Sequence, residues 1–141
     1  MIGQEKKTKL RADLHSVYNL TYHLVLVTKH RRKCLKIEHQ DFLESHCGRI
    51  IAQWDCEMLE FGAEEDHIHI LFSAHPAMQI SVLINNLKTV TARLIRKEYA
   101  KYLEHYYWKP VFWTRGYCLI TAGGVNLEVL TKYIQNQGSQ I

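Results

Sequence analysis

His67 and His69 flank a single isoleucine within an otherwise apolar run, residues 68–72. Side chains alternate faces along a strand, so the two imidazoles project side by side while Ile68 and Ile70 turn to the other face, into a core. Tyr133 and Gln137 stand four residues apart in a helical stretch, which puts them on one helix face. Two imidazoles, an amide oxygen and a phenol are the parts of a metal site beside a nucleophile. Such a set suits cutting a phosphodiester and keeping one end covalently attached.

Each part alone has a blander reading. An isolated His-x-His in a strand is more often a polar surface pair than a ligand pair. Here both histidines share a face, and Asp66 just before them can orient an imidazole from behind. A tyrosine on a terminal helix usually packs. With an ordinary pKa near 10, its phenol is a poor nucleophile without help from a base or a metal. Yet a phosphotyrosine linkage conserves the energy of the broken phosphodiester, so a DNA hydroxyl can later attack it and rejoin the strand. Gln137 alone would be surface. As a third ligand it supplies a hard oxygen, and two imidazoles plus an amide oxygen with open positions suit Mg²⁺ or Mn²⁺ better than closed structural zinc. Such an ion would polarise a scissile phosphate.

His23 falls on the polar face of the first strand and could lie near the site, but reads rather as a satisfied surface imidazole. His15, His30, His39, His46, His75 and His105 show no ligand pattern. Tyr99, Tyr102, Tyr106, Tyr107 and Trp108 can stack bases, but their spacing points to packing around a helix end. No P-loop, dinucleotide turn or Gly-x-Ser-x-Gly elbow is present.

The elements that must position these groups follow from hydrophobic period. Residues 17–28 predict a long strand, with Leu20, Tyr22, Leu24 and Leu26 on one face and Asn19, Thr21, His23 and Val25 on the other. Residues 38–54 predict an amphipathic helix with Phe42, Leu43, Cys47, Ile50, Ile51 and Trp54 on one stripe. Strands are expected at 56–61 and 67–73, separated by an acidic turn at 62–66. A second helix is expected at 79–102, a strand at 112–121 and a last helix at 126–137, with Asn126 as a possible cap. The first six elements match an α+β, ferredoxin-like arrangement with an antiparallel sheet. The last helix is an addition tethered through Gly123 and Gly124, a pair that serves equally as a hinge or as an ordinary tight turn before a helix.

The 141 residues predict one domain, 1–141, with residues 1–14 as a flexible basic arm. Apolar residues make up 47% and charged residues 23%, ordinary for a globular protein. No run approaches the roughly 18 apolar residues of a membrane helix, and the polar N-terminus shows no signal peptide. Cys34, Cys47, Cys56 and Cys118 form no zinc-like spacing and read as reduced thiols. A cytoplasmic, nucleoid-associated protein is expected.

The net charge of +4 understates the basic character, because six of the fourteen acids fall between Asp55 and Asp66. Elsewhere bases dominate: Lys29, Arg31, Arg32 and Lys33, then Lys88, Arg93, Arg96, Lys97 and Lys101. Charge divided this way suggests a polyanion on one side, against the plain alternative of solvated surface.

Taken in order, these residues resemble the single-tyrosine HUH transposases of the insertion-sequence 200/605 family, over about residues 17–137. Tyr22-His23-Leu24-Val25 and Thr28-Lys29-His30-Arg31-Arg32 look like the family's first strand and basic loop. Asp66-His67-Ile68-His69-Ile70-Leu71 is similar to its Asp-His-hydrophobic-His core. The stretch from Leu87 to Arg93 looks like its basic helix segment, and Trp113-Thr114-Arg115-Gly116-Tyr117 with Thr121-Ala122-Gly123-Gly124 resembles its aromatic strand and glycine joint. Tyr133-Ile134-Gln135-Asn136-Gln137 looks like its nucleophile helix. One departure is Thr89, where the family often carries Gly; it bears on local helix packing.

The resemblance implies Tyr133 as nucleophile through a 5′-phosphotyrosine, and His67, His69 and Gln137 as ligands of a divalent cation. It implies a homodimer, with the tyrosine helix exchanged between chains, that binds hairpins in single-stranded DNA at the element's ends. Rival readings are a domesticated relative that nicks repeat hairpins, a replication initiator or relaxase, and a non-catalytic ferredoxin-like nucleic-acid-binding module. A metal-storage protein would not need the basic clusters.

Overall fold

The structure, a computed structural model, describes residues 11–12, 17–122 and 127–137. In chain order the elements are β1 (Arg11–Ala12), β2 (Val17–Tyr18), β3 (Thr21–Val27), a 3₁₀ turn (Lys29–Arg31), α1 (Ile37–Gln53), β4 (Glu57–Ala63), β5 (His67–Ser73), α2 (Ile80–Glu98), α3 (Ala100–Leu103), β6 (Cys118–Thr121) and α4 (Leu127–Gln137). The main sheet has the order β4-β5-β3-β6, antiparallel throughout. This is the expected split β-α-β arrangement, with β3 and β5 at the centre.

One face of the sheet meets the long helices. Leu24 and Leu26 of β3 and Ile68, Ile70 and Phe72 of β5 pack in one cluster with Leu43, Cys47, Ile50 and Ile51 of α1 and Leu83, Ile84, Leu87 and Ile95 of α2. Each such side chain contributes about 1.5–3 kcal/mol when fully buried, so this layer fixes the register that aims the histidines the other way. Val25 and Val27 are also fully buried, in a second cluster on the opposite face. Covered on both faces, β3 is apolar without a break from Leu24 to Val27.

Four boundaries differ by more than a residue from the sequence reading. β4 runs on to Ala63, two residues into the expected acidic turn 62–66, because Gly62 and Ala63 pair with His69 and Ile68. The expected strand 17–28 is two strands: Val17–Tyr18 pairs with Arg11–Ala12 in a separate small sheet, and Thr21–Val27 joins the main one. Arg11 and Ala12 are thus in a strand, although they fall in the expected basic arm; residues 1–10 and 13–16, including Lys6, Lys7 and Lys9, lie outside the described residues. The expected helix 79–102 turns at Tyr99, whose φ of −118° and ψ of 39° are not helical, and resumes as α3. The expected strand 112–121 survives as a single bridge, Thr28 to Trp113, and then as β6. The reason lies between them. The ammonium of Lys88 donates to the carbonyls of Thr114, Arg115 and Gly116 at 3.0, 2.6 and 3.2 Å, and three successive carbonyls that converge on one cation cannot alternate as a strand requires. Thr89, the departure from the family pattern, is exposed on α2.

Candidate active site

The face of the sheet away from α1 and α2 carries the chemistry. Pairing places His67 opposite Val27, His69 opposite Val25 and Leu71 opposite His23, with Cys118 and Ile120 of β6 beyond Val25 and His23. Directly paired residues share a face, so the three imidazoles lie on one surface. α4 docks on it: Tyr133 and Ile134 pack against Val25 and Val27, as do Cys118 and Ile120 of β6.

His69 is buried, and its Nε2 shares a 2.7 Å hydrogen bond with Nδ1 of His23, the rings stacked with centroids 4.9 Å apart. Burial, reinforced by His23, lowers the pKa of His69 to about 4, so the ring is neutral near pH 7, the form that ligates metals. Its Nδ1 is buried with no hydrogen-bond partner among the described residues. His23 is therefore no surface imidazole: it is 1% exposed, because β3 is central and its second face is covered. Val25 and Val27 on that supposedly polar face were the signal in the sequence.

His67 is held from behind. Its Nδ1 lies 2.8 Å from Asp66 Oδ1, and the other Asp66 oxygen accepts a 3.0 Å bond from Nε of Arg31. Burial alone would raise the Asp66 carboxyl, but the bond and charge of His67, then those of Arg31, outweigh it and hold it below the usual carboxylate value. Arg31 continues the chain: its Nη1 donates to the Gln135 carbonyl at 3.2 Å. One run of hydrogen bonds thus ties the first histidine to α4. The turn that supplies Arg31 is strained, with His30 and Arg31 at φ 57° and 55°, left-handed values that side-chain-bearing residues seldom adopt. Thr28 braces it, donating through its hydroxyl to the Arg32 and Asp66 carbonyls at 2.7 and 3.1 Å.

The loop 114–116 is the second support. The Thr114 hydroxyl donates to Oε1 of Gln137 at 3.0 Å. A Cβ on Gly116 would stand 3.5 Å from the Tyr133 hydroxyl oxygen. That hydroxyl is buried without a partner among the described residues, and burial, with the Cys118 thiol adding, pushes its pKa up to about 12. Thr114 and this role of Lys88 are not legible in the sequence as supports, since nothing in their spacing links them to the histidines.

The remaining basic residues divide. Arg32, Lys33 and Arg93 are exposed, and Lys29 and Arg96 are partly so. Arg31 and Lys88 are engaged within the protein, and burial, then the charge of Lys29, lowers the Lys88 pKa. Gly123, Gly124 and Asn126 lie outside the described residues. No three His, Cys, Asp or Glu side chains gather as a metal cage among the described residues, so a cation bound by the two histidines would need another kind of ligand, such as an amide. In donor chemistry His67, His69 and Gln137 fit a divalent cation: each is held by a neighbour, and each retains a lone pair.

A family model described as Transposase IS200 like matches residues 16–137. The chain is 32% identical to the ISDra2 transposase TnpA of Deinococcus radiodurans over 121 residues, 86% of each chain. It is 28% identical over 123 residues to the transposase for insertion sequence element IS200 of Salmonella typhimurium, covering 87% of this chain and 80% of that one. The crystal structure of a candidate transposase from Deinococcus radiodurans R1 superposes with a TM-score of 0.82 at 28% identity, over 90% of this chain and 97% of that one. A REP-associated tyrosine transposase bound to a REP hairpin shares the fold, with a TM-score of 0.56 at 10% identity over 95% of this chain and 68% of that one. The fold and these matches define an α+β transposase with an antiparallel sheet. The chain belongs to the IS200-like transposase family. No helix among the described residues is long and apolar enough to cross a membrane.

Proposed function

We propose that this transposase cleaves and rejoins single-stranded DNA at hairpin-bearing insertion-sequence ends through a 5′-phosphotyrosine on Tyr133. The observation that carries the reading is the docking of α4, with Tyr133 and Gln137, on the sheet face that bears His67 and His69. In the step, the Tyr133 oxygen bonds to phosphorus as the bond from phosphorus to the 3′ oxygen of the preceding nucleotide breaks. The phenol proton departs, and the 3′ oxygen takes one up. With a pKa near 12 the phenol is protonated at neutral pH, so proton loss belongs to the attack itself. A 3′ hydroxyl from another strand reverses the step, rejoins DNA and frees the tyrosine.

His67, His69 and Gln137 would hold Mg²⁺ or Mn²⁺, which supplies Lewis-acid polarisation of the scissile phosphate. Asp66 and His23 keep the two imidazoles in place from behind. Arg32, Lys33 and Arg93 are available to phosphates. Two DNA ends need two nucleophiles, so the working unit is a homodimer. The sheet edges, β4 and β6, are strands that a second copy can extend. α4 docks here on its own sheet, and in an exchanged dimer the same surface receives the partner's helix. The enzyme works in the cytoplasm, on the nucleoid.

The test is a denaturing gel after incubation with labelled single-stranded hairpins from the flanks of its gene. A protein–DNA adduct is expected with single strands and not with full duplex. Binding without any adduct would favour a non-catalytic module.

A further inference from the structure

We propose a second nucleic-acid subsite at the end of α2 and α3, where an unpaired base stacks on Trp108 while Arg96 and Lys109 meet its flanking phosphates. It rests on the transposase reading, and it lies outside the catalytic face.

The aromatic residues around that helix end separate into two kinds. Tyr99 and Tyr102 pack on His39, Tyr99 also meets Phe42, and Tyr106 packs on Tyr102. Tyr107 is buried. These match the packing expected from their spacing. Trp108 does not: it is 88% exposed, beyond even Ile37 at 70%. A lone exposed hydrophobic needs no explanation, but this one borders a cleft of about 300 Å³ lined by Arg96, Leu103, Glu104, Tyr107, Lys109 and Val111, among others. That is the lower end of small-ligand clefts, about 300–1,000 Å³, the scale of a nucleotide and too small for a duplex.

The charge balance favours an anion. Arg96 and Lys109 face the cleft against one acid, Glu104. The Lys109 ammonium stands 4.8 Å from the Trp108 ring centroid, leaving the opposite ring face for a base. Base–aromatic stacking beside cations is the usual grip on single strands, tolerant of sequence because every base has a π face. The cleft wall is tied to the basic turn by hydrogen bonds. Tyr107 donates its hydroxyl to the Lys29 carbonyl at 2.7 Å, and the Lys29 amide donates to the Phe112 carbonyl at 2.7 Å.

The experiment compares the wild-type chain with Trp108→Ala and Trp108→Phe. The probes are a blunt DNA hairpin and the same hairpin with an unpaired thymidine tail, at fixed salt. Trp108→Ala should weaken binding of the tailed hairpin about tenfold and leave the blunt one unchanged. Trp108→Phe should keep most of the affinity. The tailed hairpin should quench tryptophan emission in the wild type and much less in Trp108→Phe, with equal melting temperatures. Equal affinity of wild type and Trp108→Ala for the tailed hairpin overturns the subsite. So does a changed sedimentation of DNA-free Trp108→Ala with unchanged DNA affinity, which would make the patch a protein contact. Wild-type adduct formation with an indifferent Trp108 removes the subsite alone, whereas a wild type that binds neither hairpin removes the transposase reading with it.

Discussion

The Thr114 hydroxyl donates to the amide oxygen of Gln137 across 3.0 Å, and both residues are buried. The bond joins the loop gathered by Lys88 to the last residue of α4, so the position of the amide depends on α2 as well. An amide oxygen has two lone pairs, so holding Gln137 by one leaves the other for a cation.

Thr114→Val keeps the shape and removes the donor. It should cost about 1–2 kcal/mol of stability and speed hydrogen exchange across α4, while Thr114→Ser should restore both. Unchanged exchange in α4 for Thr114→Val would show that the helix is anchored elsewhere.

Tyr133→Phe removes a buried hydroxyl that has no hydrogen-bond partner among the described residues. Its melting temperature should equal or exceed wild type, because an unsatisfied buried hydroxyl costs about 1–3 kcal/mol. Hairpin binding should persist and the covalent adduct should vanish. Mixed with the double variant His67→Ala/His69→Ala, it should regain adduct, on the Tyr133-bearing subunit only, if α4 is exchanged. A mixture that exchanges subunits yet stays dead would mean that each chain completes its own site, as α4 docks here.

His67→Ala and His69→Ala should both abolish cleavage and differ in stability. His67 is partly exposed and leaves Asp66 its bond to Arg31, so its loss should be mild. His69→Ala deprives buried His23 of its ring partner and opens a cavity, which should cost about 2–4 kcal/mol. Excess chelator should stop wild-type cleavage, and Mg²⁺ or Mn²⁺ should restore it; Gln137→Ala should be milder, since water can fill an oxygen position. Full activity in chelator would rule out the metal.

Arg31→Ala and Arg32→Ala separate a strut from a grip. Arg32 is exposed, so its loss should flatten the log–log salt dependence of hairpin binding by about 0.7, one phosphate on a single strand, with stability unchanged. Arg31 ties Asp66 to Gln135, so its loss should lower the melting temperature and loosen α4. Identical behaviour of the two variants in thermal melts would contradict that division.

Much was legible in the chain because it rests on local rules. The alternation around His67 and His69 fixed both the strand and its two faces, since a one-residue slip would have turned Ile68 and Ile70 to the other side. The helical periods located α1 and α2 to within a residue or two, apart from the turn at Tyr99. Four spacing put Tyr133 and Gln137 on one face of the last helix, and the ordered motifs marked the family. What the chain could not show depends on contacts between residues distant in sequence. His23 and His69 are 46 positions apart, Lys88 and the loop at 114–116 about 27, and Arg31 and Gln135 104. No periodicity encodes such meetings. The tertiary structure alone decided that His23 is buried against a histidine, that Lys88 gathers carbonyls and breaks a strand in two, and that Arg31 is a strut. In each case one charged or polar group had to find a partner once burial removed water, and only the folded sheet, with α4 laid across it, brings the available partners within reach.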